Sequence, residues 1–271
     1  MTLVKYSKPS SAVIVNKQSF FKKNDELLEY VASVNSLYKQ QPMREGCKTC
    51  GTKILTEDIV IHGVPYSVCD KCGHFNGLHE DTEEFADYVY NGAKGINYAA
   101  NYKENYISRV NDIYEPKVSF LQEVLKSDGI VDFSVTDVGC GGGHFVAACE
   151  KLGIQCVGYD TNIELIQLGN QFLEKNALQH SQLEDINSLI VGVNSPVMSL
   201  VGVLEHLMDP IGAMSAFCQS KADYLYLQVP LFSFSAILES IHPDIFPRQL
   251  NAGHTHLYTK SSIEYICNEL N

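Results

Sequence analysis

Apolar and polar residues alternate along this chain in two different periods. Over residues 24–40, NDELLEYVASVNSLYKQ, the apolar side chains Leu27, Leu28, Val31, Val34 and Leu37 recur at helical spacing, and Pro42 ends the run. Residues 54–68, ILTEDIVIHGVPYSV, alternate instead, as two short strands turning at His62-Gly63 would. A polar, tyrosine-rich stretch of helical pattern follows from Asp81 to Leu125. From Val131 onward the reading is VDFSVTDVG as strand, GHFVAACEKLG as helix, IQCVGYD as strand and TNIELIQLGNQFLEKN as helix. Further strands are expected at SPVMSLVGV and ADYLYLQVP, and a last helix at SSIEYICNEL. This βαβα alternation predicts an α/β fold with a parallel sheet covered by helices.

Composition narrows the function classes. With 271 residues and 45% hydrophobic content the chain has enough apolar mass for one ordinary domain and a smaller one. Its 32 acidic against 20 basic residues give a net charge of -12, and there is no Lys/Arg-rich run to follow a phosphate backbone, so no nucleic-acid partner is expected. The N-terminal apolar run AVIV is too short for a signal sequence, and no stretch approaches a membrane span. A cytoplasmic protein without a membrane partner is the expectation.

The nine cysteines divide by spacing. Cys140, Cys149, Cys156, Cys218 and Cys267 are scattered singly, whereas Cys47, Cys50, Cys69 and Cys72 form CKTC and CDKC. A two-residue gap lets both thiolates of a pair reach one ion from a tight knuckle, and Gly51 and Gly73 supply the left-handed backbone that such a knuckle uses. With two short strands between the pairs, this is the layout of a zinc ribbon, and four thiolates leave no open coordination position, so the expected Zn2+ is structural. Ordinary buried thiols are the competing reading; a redox pair is weaker, because neither CxxC opens a helix of a βαβ unit. His62 reads as a turn residue.

The glycine run DVGCGGG, residues 137–143, sits between the first core strand and its helix. The dinucleotide pattern G-x-G-x-x-G would need a small residue where His144 stands. The sequence D-x-G-x-G-x-G through Asp137, Gly139, Gly141 and Gly143 instead resembles motif I of the class I S-adenosylmethionine-dependent methyltransferases. That resemblance implies a Rossmann-like doubly wound sheet in which the glycines let the backbone pass beside the cofactor and Asp137 arranges the loop. The second strand ends in Asp160, placed to accept hydrogen bonds from the hydroxyls of a ribose; capping the next helix, by Asp160 or Thr161, is the other reading. LEDINSL resembles the family's third strand and acidic turn, which implies that Asp185 and Ile186 flank the adenine.

SLVGVLEHLMDP resembles the fourth-strand segment of many small-molecule methyltransferases, which implies Glu205 and His206 at the ligand crevice. His206 is then a candidate base for an attacking hydroxyl or amine, or a residue that only orders the loop. His254 and His256, in NAGHTHLYTKSS, are the competing candidates, and His144 is expected to pack against the cofactor or to cap its helix. Tyr98, Tyr102, Tyr106 and Arg109 share a helical face, with Tyr114 beyond; Tyr102 and Arg109 are candidates to hold the cofactor's carboxylate from a lid, and a purely structural helix is the alternative.

The expected organisation is an N-terminal helical segment (1–42), a zinc-ribbon module (43–82), tyrosine-rich connecting helices (83–115) and the cofactor-binding core (116–271). A four-cysteine module ahead of such a core resembles bacterial sugar and nucleotide-sugar methyltransferases. This implies methyl transfer to a small, sugar-containing acceptor, with a protein-directed enzyme or an inert cofactor-binding scaffold as alternatives. The chain stops at ICNELN, where the family continues into an antiparallel hairpin, so the last hairpin of the sheet is expected to be missing or the native chain to run past Asn271.

Overall fold

A computed structural model describes residues 24–54, 56–91, 103, 105–182, 186–242, 250 and 254–270. They fall into two compact units. The first draws on Asn97–Val203 and Ser215–Gln228, the second on Ser19–Ile96, Leu204–Met214 and Val229–Asn271.

The first unit is built on five parallel strands in the order β6-β5-β4-β7-β8: β4 Ser134–Val138, β5 Gln155–Asp160, β6 Leu178–His180, β7 Val197–Val201 and β8 Tyr224–Gln228. Strands covered on both faces read as continuous apolar runs rather than alternations. Accordingly Val135, Val138, Val197, Met198 and Leu200 are all 2% exposed or less, each such side chain worth about 1.5–3 kcal/mol of burial. Helices Glu115–Ser127, His144–Lys151 and Ile163–Leu173 flank this sheet. Successive strands run from β4 out to β6 and then restart beside β4 with β7, so the strand order reverses at the carboxyl ends of β4 and β7, the place where open α/β sheets bind ligands.

The third core strand lies at Leu178–His180, ahead of the LEDINSL segment expected from the sequence. The reason is register: Leu178 pairs with Gly158 of β5, and the polar residues that follow mask so short a strand. Ile186 instead opens the helix Ile186–Val191, and Asp185 lies outside the described residues, as do Tyr98 and Tyr102. Among the described residues no antiparallel strand extends the sheet beyond β8.

The second unit contains an antiparallel sheet, β1 Ile59–Ile61, β2 Val64–Val68, β3 Phe75–Gly77 and β9 His256–Leu257. His62 and Gly63 both take positive φ, 49° and 72°, which is what a two-residue hairpin between right-twisted strands requires. The helix Asn24–Tyr38 contributes Val34 and Tyr38 to the core of this unit, where Tyr66 stacks on Phe75 and Phe75 on Phe232, with ring centroids 4.9 and 4.6 Å apart. β9 adds residues distant in sequence: Phe75 faces Leu257 and Asn76 faces His256. No helix among the described residues is long and apolar enough to cross a membrane.

Candidate functional site

At the carboxyl end of β4 the chain turns into the helix His144–Lys151 through three glycines with φ of 75°, 53° and 72° at Gly139, Gly141 and Gly143. Only glycine adopts this region without strain. The close neighbours are the protein's own: a Cβ on Gly139 would come within 2.4 Å of Val203, and one on Gly143 within 2.7 Å of Leu178. These two glycines are thus required by packing beneath the loop, before any ligand is considered.

Asp160 ties the loop to the next strand. One carboxylate oxygen accepts the Gly141 N–H at 2.7 Å, the other the Asn162 N–H at 2.8 Å. The helix Ile163–Leu173 is capped by Asn162, whose side chain accepts the Leu165 N–H at 3.0 Å, and not by Asp160 or Thr161. Each carboxylate oxygen carries two acceptor sites, so Asp160, only half-buried, keeps capacity for a ligand's donors. Tyr159 supports the same turn, its carbonyl accepting from the N–H groups of both Gly139 and Cys140.

Asp137 is buried and accepts the Ser199 hydroxyl at 2.6 Å. Burial pushes its carboxyl up to about 7, although the Ser199 bond pulls the other way. Ser199 escaped the sequence reading, yet a lone hydroxyl inside the apolar strand VMSLV is itself a signal, because a buried hydroxyl needs a partner. The linkage has a definite sign. Between its ordinary 3.8 and about 7 the folded chain holds a proton that the unfolded chain has released, so this group lowers stability as pH rises through that window. Asp137→Asn should therefore match the wild type in stability near pH 4 and exceed it by roughly 2–4 kcal/mol above pH 7. Urea unfolding of both proteins from pH 4 to 8 checks this; a gap that does not change with pH would contradict it.

The tyrosine-rich segment meets this loop through Tyr106, whose hydroxyl donates to the Gly142 carbonyl at 3.0 Å. The Tyr106 ring lies between His144 and Phe172, at centroid distances of 4.2 and 4.0 Å, and Tyr114 stacks on the His144 ring at 5.3 Å. His144, buried, is held in this aromatic stack. Arg109 begins a wide helical turn, Val110–Tyr114, and its guanidinium holds down the pKa of the Tyr114 hydroxyl, which burial raises.

In the second unit the four cysteines converge. Cys47 Sγ is 3.5 Å from Cys72 Sγ, Cys50 Sγ is 3.5 Å from Cys69 Sγ, and all four lie within 4.8 Å of one another. A tetrahedral ion at a Zn–S distance of ~2.3 Å sets its sulfurs about 3.8 Å apart, so these positions fit one. The two knuckles are alike: Gly51 N–H donates to the Cys47 carbonyl and Gly73 N–H to the Cys69 carbonyl, each glycine in the left-handed region. Contact with Cys72 pushes the Cys47 thiol down to about 5 and pushes Cys72 the opposite way. His62 stays in its turn, outside the sulfur cluster.

The same unit brings Glu205, His206 and His254 together, with one ligand atom from each within 4.8 Å of the others. Glu205 and His206 form a short 3-10 turn, and the His206 and His254 rings stack at 5.3 Å. Burial pushes the Glu205 carboxyl up to about 7. His256 sits elsewhere: it is 1% exposed, and its Nδ1 lies 2.9 Å from His74 Nε2. Burial lowers both imidazoles, His74 to about 3, so the two share a hydrogen bond as neutral rings.

Comparison with known proteins adds a family. A family model described as a methyltransferase domain matches residues 102–271. The chain is 29% identical over 98 residues to the ubiquinone biosynthesis O-methyltransferase of Haemophilus ducreyi, covering 34% of this chain and 42% of that protein. Its identity to the enzyme of the same name from Yersinia enterocolitica is also 29%, over 108 residues, covering 35% of this chain and 40% of the relative. The match thus spans about two fifths of the length of these relatives. Among solved structures, the plantazolicin methyltransferase BamL, crystallised with a triazolic desmethylPZN analog and SAH, superposes with a TM-score of 0.51 at 17% identity, over 69% of this chain and 71% of that one. That likeness speaks for the fold.

Proposed function

This chain belongs to the methyltransferase-domain family, and from that membership we propose that it transfers a methyl group from S-adenosylmethionine to a small-molecule acceptor. The observation that carries the reading is the glycine loop at the strand-order reversal, locked to Asp160 by the Gly141 N–H. The cofactor supplies an already activated sulfonium methyl. Placement of the reacting groups accounts for most of what the protein must add, since orientation alone contributes ~7–11 kcal/mol to such reactions.

In this reading Asp160 holds the ribose hydroxyls with the acceptor capacity its two backbone bonds leave over, and Gly139, Gly141 and Gly143 shape the loop around the remainder of the cofactor. Asp137 acts from below: its bond with Ser199 fixes the end of β4. Tyr106 steadies the Gly142 carbonyl and Arg109 is assigned to the cofactor's carboxylate; Tyr102, Asp185 and Ile186 remain candidates by resemblance. The acceptor's proton is assigned to the cluster of Glu205, His206 and His254, which the chain reaches shortly after β7. His256, committed to His74, is left a supporting role.

The four cysteines are assigned a structural Zn2+. For the acceptor, the named relatives, O-methyltransferases of ubiquinone biosynthesis, favour a hydroxyl oxygen, while the cysteine module's resemblance to sugar methyltransferases favours a sugar or nucleotide-linked sugar. Calorimetry with S-adenosylhomocysteine tests the core of the proposal, and saturable one-to-one binding is expected. Incorporation of labelled methyl into hydroxyl-bearing ubiquinone precursors or into nucleotide-sugars then separates the acceptor classes. Absence of S-adenosylhomocysteine binding by the folded protein would overturn the reading.

A further inference from the structure

We propose that Glu205, His206 and His254 form a second metal site, one that takes a divalent transition-metal ion and is chemically unlike the four-thiolate cluster. The donor set is a carboxylate and two imidazoles, a combination that suits zinc, cobalt, manganese or iron(II) and leaves at least one coordination position open. The three residues come from two separate segments, the turn Leu204–His206 and the start of the stretch that leads into β9, yet one donor atom from each lies within 4.8 Å of the other two.

The second observation is the state of the carboxylate. Glu205 is 4% exposed, and its Oε2 meets no hydrogen-bond partner among the described residues. A buried acceptor left without a donor costs about 1–3 kcal/mol, and more when charged. The basic side chain of His206 brings its Nε2 to 3.9 Å from Glu205 Oε1, too far for a hydrogen bond. An ion with metal–nitrogen and metal–oxygen distances of ~2.0–2.2 Å draws such donors to about 3.3 Å apart, a closure that side-chain rotation supplies. It also satisfies the orphaned oxygen. His256, whose Nδ1 lies 2.9 Å from His74 Nε2, is not part of this donor group.

The site is a binding site whether or not the protein is a methyltransferase. If methyl transfer holds, and this clause rests on that reading, the open position would take an acceptor's hydroxyl oxygen and lower its pKa, and Glu205, His206 and His254 would then act on the acceptor through the ion they hold and not as free bases.

The test is titration of Co2+ into the purified full-length protein with its thiolate-bound metal left in place. One additional equivalent should bind with a weak visible d–d band and no thiolate charge-transfer band in the near ultraviolet. Glu205→Gln and His254→Ala should each weaken that equivalent at least tenfold while the thiolate-bound metal, counted by elemental analysis, is unchanged. No saturable second equivalent in the native protein would overturn the proposal, and so would an equivalent that either correctly folded variant retains at full affinity. If Glu205→Gln does not fold, His254→Ala decides alone, because His254 is only half-buried. Calorimetry with S-adenosylhomocysteine reads methyl-donor binding separately, so the two proposals fail independently.

Discussion

Asp160→Ala is expected to lower affinity for S-adenosylhomocysteine by roughly 10² to 10⁴-fold in a protein that remains folded. The carboxylate accepts two backbone N–H groups, Gly141 at 2.7 Å and Asn162 at 2.8 Å. Each bond to a charged acceptor is worth about 1.5–3 kcal/mol, and alanine replaces neither. The sum, roughly 3–6 kcal/mol, converts at about 1.4 kcal/mol per tenfold. The loss should appear in binding more than in folding. Gly141 sits in a turn free to loosen when its anchor goes, and a ligand must then re-order the turn as it binds. Asp160→Asn, which retains one acceptor oxygen, should fall between. Calorimetry on both variants, with far-ultraviolet circular dichroism as the folding control, measures the effect. Binding by the alanine variant within about fivefold of wild type would show that the loop is held by its packing on Val203 and Leu178 and that Asp160 does not touch the ligand.

The comparison of those two supports shows what the sequence could and could not reveal. The loop itself was legible, because glycines at alternate positions between an apolar run and a helix leave few other conformations, and the same holds for the knuckle glycines Gly51 and Gly73 and for the His62-Gly63 turn. What lies under the loop was not. Val203 and Leu178 approach Gly139 and Gly143 from other strands or their ends, and periodicity carries no information about contacts of that range. The strand β9 is the extreme case. Two residues, His256–Leu257, give no periodic signal, yet they pair with Phe75 and Asn76 and place the stretch from Val229 with the cysteine-bearing sheet. For the same reason the neighbours of His256 were invisible: its partner His74 is 182 residues away in sequence. The convergence of His254 with Glu205 and His206 likewise depends on chain return, although each residue was recognisable singly as a candidate.

If the four cysteines hold the Zn2+ proposed above, its loss is expected to be felt across the whole antiparallel sheet, because β9 pairs with β3, which follows the second cysteine knuckle. Removing the thiolate-bound ion should unfold β1, β2, β3 and β9 together. The cluster is wired into that sheet at several points: the Asn76 side chain donates to Cys47 Sγ at 3.5 Å and accepts the Lys48 N–H at 3.0 Å, and the Thr259 hydroxyl donates to the Gly73 carbonyl at 3.0 Å. The three buried cysteines form an apolar cluster of their own with Tyr265 packed against it, too small a core to persist on apolar packing alone. Structural zinc contributes ~10–16 kcal/mol in small modules, as much as the entire stability of an ordinary domain, ~5–15 kcal/mol. Cys72→Ser, and Cys50→Ser at the one half-buried ligand, should therefore each purify with less than one zinc per chain and lose the near-ultraviolet signal of Tyr66, Phe75 and Tyr38. Chelator titration of the native protein should release zinc and those signals in one transition, with the four thiols becoming reactive at the same point. Retention of the aromatic signals after complete zinc release would mean that stacking of Tyr66, Phe75 and Phe232 holds the sheet unaided, and that the cysteines are buried thiols rather than ligands.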